Sequence, residues 1–187
     1  MLLMLSKIRG LLKKIWYMLS CSGVQFLNIP SMRRGARVKC RAGKMYAGRH
    51  FSMNSNAYCA IMNGGILTIG DNVSINRNTI IVCHDRISIG SGCAIAPNVL
   101  IYDHDHKFGS KGIEDGFRTA PVSIGDNCWI GAGAIILRGT TIGEGSVIGA
   151  GSVVKGNIPP YSLVTGSRGL IITPLADEDK KDGSNES

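Results

Sequence analysis

Residues 124–159 read IGDNCW IGAGAI ILRGTT IGEGSV IGAGSV VKGNIP. An aliphatic residue opens each group of six, at Ile124, Ile130, Ile136, Ile142, Ile148 and Val154. The same period runs through IGDNVS INRNTI from Ile69 and IGSGCA IAPNVL from Ile89. Four positions after each aliphatic stands a small or β-branched residue: Val73, Thr79, Cys93, Val99, Cys128, Ala134, Thr140, Ser146 and Ser152. A period of six matches neither the 3.6 of a helix nor the 2 of a plain strand. It fits short strands that each end in a tight corner, with the aliphatic and the small residue inside and Gly, Asn or Asp turning the chain. Three hexads then close one triangular coil, and coils stack on one another. The 25 glycines among 187 residues, against an aromatic content of only 6%, agree with a repetitive core and disfavour an aromatic-centred sandwich.

Charge is distributed unevenly. Eleven of the 21 basic residues, from Lys7 to Arg49, precede the first acidic residue, Asp71, and the other ten face 13 acidic ones. No zinc-finger spacing, ribonucleoprotein-type aromatic motif or basic heptad accompanies them, so no nucleic-acid partner is expected. Residues 1–20 gather Met4, Leu5, Ile8, Leu11, Leu12, Ile15, Trp16, Met18 and Leu19 on one helical arc, with Lys7, Arg9, Lys13 and Lys14 opposite. Charges inside the apolar stretch argue against a transmembrane span or a secretory leader. Two readings stay open: a helix packed on its own oligomer, or an interfacial helix on an anionic membrane. The six cysteines form no Cys-x-x-Cys and no secreted framework, which points to reduced thiols in a cytoplasmic protein.

This pattern resembles the hexapeptide-repeat acyltransferases, and among them the galactoside, maltose and polysaccharide O-acetyltransferases. The resemblance covers about residues 35–170 and implies an all-β fold, a left-handed parallel β-helix, here with an N-terminal amphipathic helix and connector (1–34), an extruded loop (102–121) and a C-terminal tail (171–187). It also implies acetyl-coenzyme A as acyl donor, a homotrimer with sites between subunits, and a saccharide hydroxyl as acceptor. N-acylation of an amino sugar or small amine, and a trimeric scaffold without activity, are the alternatives.

The chemistry is expected where the period fails. Between Ile101 and Val122 lie two of the four histidines, and a shorter slip at His84-Asp85-Arg86 carries a third. A hydroxyl attacking a thioester needs a base at neutral pH, and histidine suits that role. His106-Lys107-Phe108 resembles the family's catalytic histidine segment, so His106 is preferred to His104 as base. By the same resemblance Asn76 and His84 fall at acceptor positions, although His84 stands where the galactoside enzyme has a carboxylate. Asp103 and Asp105 flank the histidines and are assigned with them to the acceptor or to fixing a tautomer. The cofactor residues implied are Trp129, Ala132, Ala150, Lys155 and Arg168. Here the chain departs from its relatives, with Lys155-Gly156 and Gly166-Ser-Arg-Gly-Leu170 where other endings are usual. The His-x-His spacing of His104 and His106 is unlike that of the family's zinc enzymes, and no metal site is expected.

Overall fold

In the computed structural model the described residues are 8, 11, 12, 15, 16, 23–109, 112–166 and 171–174. The chain winds as a parallel β-solenoid with three faces, of seven, eight and six strands. One coil shows the plan. Ile66–Ile69 lies on the first face, Ser74–Ile75 on the second and Ile80–Cys83 on the third, after which Arg86–Ile89 returns to pair in parallel with Ile66–Ile69. Each strand inside these faces thus hydrogen-bonds to the coils before and after it, which leaves edges only at the two ends of the stack.

The hexads act as their pattern requires. All lead aliphatics from Ile69 to Val154 are at most 5% exposed, and the small residues four positions on are at most 1% exposed. Three of the four polar ones bond backbone carbonyls: Thr79 Oγ1 donates to Ala96 O at 2.7 Å, Thr140 Oγ1 to Leu137 O at 2.6 Å and Ser146 Oγ to Pro159 O at 2.9 Å, while the buried Ser152 Oγ has no such partner among the described residues. Cys93 and Cys128 fill this column and donate to Gly125 O and Gly143 O, at 3.1 and 3.2 Å. Burial pushes the Cys59 thiol up to about 12. These sulfurs are core atoms.

Glycine serves two purposes at the corners. The third corner residue adopts a left-handed backbone, as at Asn72 (φ 58°) and Gly145 (φ 64°), which Gly and Asn take at least cost, although His50 and Tyr161 also hold it. Where the first corner residue is glycine, the reason is lack of room: a Cβ on Gly125 would meet Glu144 N of the next coil at 2.6 Å.

Both boundaries of the solenoid lie beyond those expected from the sequence. Val24–Phe26 already pairs with Lys44–Ala47, and Ser31–Met32 with Ser52–Met53, so stacking begins before residue 35. The period was present there in disguise, led by Phe26, Met32 and Val38 and then by Ala47, Met53 and Cys59, all buried. At the other end Ile171–Pro174, expected in the tail, pairs antiparallel with Ser162–Thr165.

Ile8, Leu11, Leu12, Ile15 and Trp16 are helical and exposed, as the amphipathic pattern predicts; the rest of residues 1–20 lie outside the described residues. Among the described residues no helix is long and apolar enough to cross a membrane.

Because the Gly125 clash is with backbone, Gly125→Ala is expected to destabilise the solenoid by about 1–3 kcal/mol. Asn127→Gly, which keeps the left-handed angle at φ 55°, is expected to change stability far less. Thermal unfolding of the two variants checks this.

Candidate active site

The site grows from a shortened corner. Between the third and first faces one coil turns through four residues, 62–65, whereas the next turns through only His84 and Asp85. The amides of these two residues are met by a side chain from the coil above. Asp103, fully buried, accepts from His84 N at 2.9 Å and from Asp85 N at 2.7 Å. The same carboxylate bonds His104 Nδ1, 3.1 Å from Oδ1. A carboxylate oxygen accepts, so His104 Nδ1 carries the proton of this bond.

From Asp103 the period gives way to an antiparallel hairpin, His104–Gly109 against Gly112–Thr119. Ala120 N donates to Asp103 O at 2.9 Å and closes its base. Asp105 forms a close ion pair with Arg138 of the following coil. The root of the hairpin is therefore tied both to the solenoid and to itself, while its far end projects.

Three histidines meet at this root. The His84 and His104 rings stack face to face with centroids 3.7 Å apart. Phe117, on the returning strand, meets both edge-on, at 4.6 and 5.1 Å, and lies against His106 at 4.7 Å. His106 is opposite Phe117 in the pairing, at a register shift between His106 and Lys107. Such a bulge re-aims the side chain beside it. His106 is exposed, whereas the His104 side chain keeps only 12% of its surface. Stacked rings point their in-plane lone pairs along parallel planes, so His84 and His104 do not converge as two ligands on one tetrahedral ion.

His84 is held neutral by its surroundings. Burial lowers its pKa from the usual imidazole range, and the neighbouring His104 lowers it further; the Asp103 charge opposes both, and His106 adds a smaller downward effect. Asn63 Nδ2 is a pure donor, 3.2 Å from His84 Nδ1, so that nitrogen accepts and must be unprotonated.

Comparison with known proteins fits this architecture. Residues 121–155 match the family model described as the hexapeptide repeat of succinyl-transferase. Nodulation protein L of Rhizobium meliloti is 48% identical over 102 residues, 54% of this chain and 56% of that protein, so the chain spans little more than half the length of this relative. The Escherichia coli protein named "Putative lipopolysaccharide biosynthesis O-acetyl transferase WbbJ" is 32% identical over 148 residues, 74% of this chain and 76% of its own. The chain belongs to the hexapeptide-repeat acetyltransferase family. A solved hexapeptide-repeat acetyltransferase of Vibrio cholerae, in complex with acetyl-coenzyme A, aligns with a TM-score of 0.60 at 28% identity, over 77% of this chain and 73% of that one.

Within this acetyltransferase fold the expected site residues separate into two groups. His84, Asp103, His104, Asp105 and His106 share the corner between the third and first faces. Asp103, expected among the acceptor contacts, is sealed from any acceptor and holds the corner instead. Asn76 lies at the opposite edge of the third face, between Ser74–Ile75 and Ile80–Cys83. The exposed Ala132 and Ala150 lie at that same edge, in higher coils, and Trp129, 56% exposed, stands on the second face just before it. Lys155 follows Val153–Val154 and falls on the histidine side, away from Trp129. Arg168 lies outside the described residues. Sequence reasoning missed Phe117, Arg138 and Asn63. Arg138 and Asn63 both stand in corner segments between the third and first faces, the corner that the histidines mark in the sequence. Phe117 sits in the stretch without period and left no signal.

The depressed pKa of His84 sets a direction for acid stability. As pH falls below about 6.5 the unfolded chain takes up this proton before the folded one, so stability is full above that value and declines below it. Thermal melts at pH 7.5 and near pH 5.5 are expected to show a drop that is smaller in His84→Gln.

Proposed function

We propose that the chain transfers the acetyl group of acetyl-coenzyme A to a hydroxyl of a saccharide, with His106 as the general base. The observation that carries this reading is the exposed His106 at the bulge of a hairpin whose root is fixed by Asp103 and the His84–His104 stack. The acceptor oxygen attacks the thioester carbonyl carbon as its proton passes to the imidazole. The carbon–sulfur bond then breaks, and the proton goes to the departing thiolate of coenzyme A. The products are an O-acetyl ester and free coenzyme A. His104 is the positioning residue: its Nδ1 is committed to Asp103, and its ring backs the site.

The donor is read along the edge of Ala132 and Ala150, beside Trp129, where the two alanines leave space for an extended pantetheine arm. That edge and His106 are at opposite sides of one chain's third face. A complete site therefore needs the histidine corner of one chain beside the alanine edge of another, and a homotrimer provides this three times. Phe108 (59% exposed) and Ile113 (80% exposed), opposite each other on the hairpin, offer apolar surface for that contact. The exposed helical face at Ile8–Trp16, with lysines and arginine opposite in sequence, fits an anionic membrane surface.

His106→Ala is expected to lower kcat/KM by about 10²–10⁴, and His104→Ala by less, with coenzyme A release followed over a panel of sugars. The reverse order would assign the base to His104, and absence of coenzyme A binding in calorimetry would sink the reading. Removal of residues 1–20 is expected to release the protein from anionic vesicles while its oligomeric state is kept.

A further inference from the structure

One corner of the solenoid changes character halfway along its length. Between the second and third faces, the first corner residues are, coil by coil, Arg33, Asn54, Asn76, Ala96, Gly131 and Gly149. They are in register, since Arg33 N bonds Met53 O, Asn54 N bonds Ile75 O, Asn76 N bonds Ile95 O and Ala96 N bonds Ile130 O. The second corner residues are Arg34, Ser55, Arg77, Pro97, Ala132 and Ala150. The edge is cationic and amide-bearing over its first three coils and small and smooth over its last three.

Arg33, Asn54, Ser55, Asn76 and Arg77 line a cavity of about 310 Å³ at the polar end. The amides are preset: Asn54 Nδ2 donates to Asn76 Oδ1 at 3.3 Å, and the same oxygen accepts from Arg77 N at 2.8 Å. The Asn76 amide NH₂ remains a donor, beside two guanidiniums that can only donate. Among the described residues neither arginine takes part in an ion pair. None of the six corner segments, 33–36, 54–57, 76–79, 96–99, 131–134 and 149–152, contains an Asp or Glu. The cavity thus presents donors with no protein anion to answer them.

We propose that this cavity binds the anionic group of the acceptor, so that the sugar acetylated by this chain carries a phosphate or a carboxylate bridged by Arg33 and Arg77. The inference rests on the transfer reading above, in which the donor's arm lies over Ala132 and Ala150. Arg33 and Arg77 continue that same edge in the earlier coils, beside Asn76. Planar guanidiniums suit either oxyanion through paired N–H bonds.

The test uses the full-length protein with glucose 1-phosphate, glucuronate and glucose as probes. Calorimetry and acetyl transfer are expected to favour at least one of the two anions over glucose by about tenfold or more. Arg33→Gln and Arg77→Gln are expected to abolish that preference and its salt dependence, while leaving the KM for acetyl-coenzyme A and the folded circular dichroism spectrum unchanged. Preference for the phosphate or for the carboxylate tells the two acceptor chemistries apart. Equal use of glucose and both anions overturns the proposal and leaves the transfer reading intact. Arginine-dependent binding of an anion without acetyl transfer does the reverse, removing the transfer reading and keeping the anion site. If Arg77→Gln weakens coenzyme A but not dephospho-coenzyme A, the arginines hold the donor's 3′-phosphate and the proposal fails.

Discussion

Every coil of this protein must close on itself within a rung spacing of about 4.8 Å from its neighbours, and that closeness governs the rest. Side chains at one level touch those directly above and below, so each interior position has a fixed volume. One branched aliphatic and one small residue fill each short side. At the corners the next coil's backbone approaches so near that the first residue can often have no Cβ, and the third must take a left-handed angle. The hexad is the chemical record of these demands.

The same closeness explains why the candidate site looks as it does. A corner cut from four residues to two leaves amides that the parallel ladder cannot use, and a buried group with amides unmet would be costly. Asp103 answers them from the coil above. Its carboxylate has capacity for one more donor, which it spends on His104, and that bond fixes the ring against His84. A group required by the solenoid's geometry is thereby the group that orders the histidines. Register shows the cost of the excursion: Ser88 pairs with Ser123, 35 positions on, where Thr68 and Ser88 in the preceding coil are separated by only 20.

Much of this was legible without coordinates, and particular residues show why. Ile124 to Val154 repeat without a slip, so their burial followed from spacing alone. Phe26, Met32 and Val38 keep the same spacing but use residues that the Ile-Gly signature does not contain, and the start of the stack was missed for that reason. His84, His104 and His106 could be singled out because they interrupt a period. Their stacking on Phe117 could not, since cross-strand pairing in the hairpin depends on a bulge whose position no short-range pattern announces.

The amino-acid sequence by itself determined the three-faced solenoid, the corner glycines, the burial of Cys93 and Cys128 and the place where the repeat opens. Periodicity carries these because each coil meets the same local problem. Only the tertiary structure decided that Asp103 is a buried support, that His106 rather than His104 faces outward, and that Asn76 shares an edge with Ala132 while the histidines stand on the other. Those outcomes depend on which residues meet across coils 18 to 35 positions apart and on how the hairpin folds back, and stacking in three dimensions sets both.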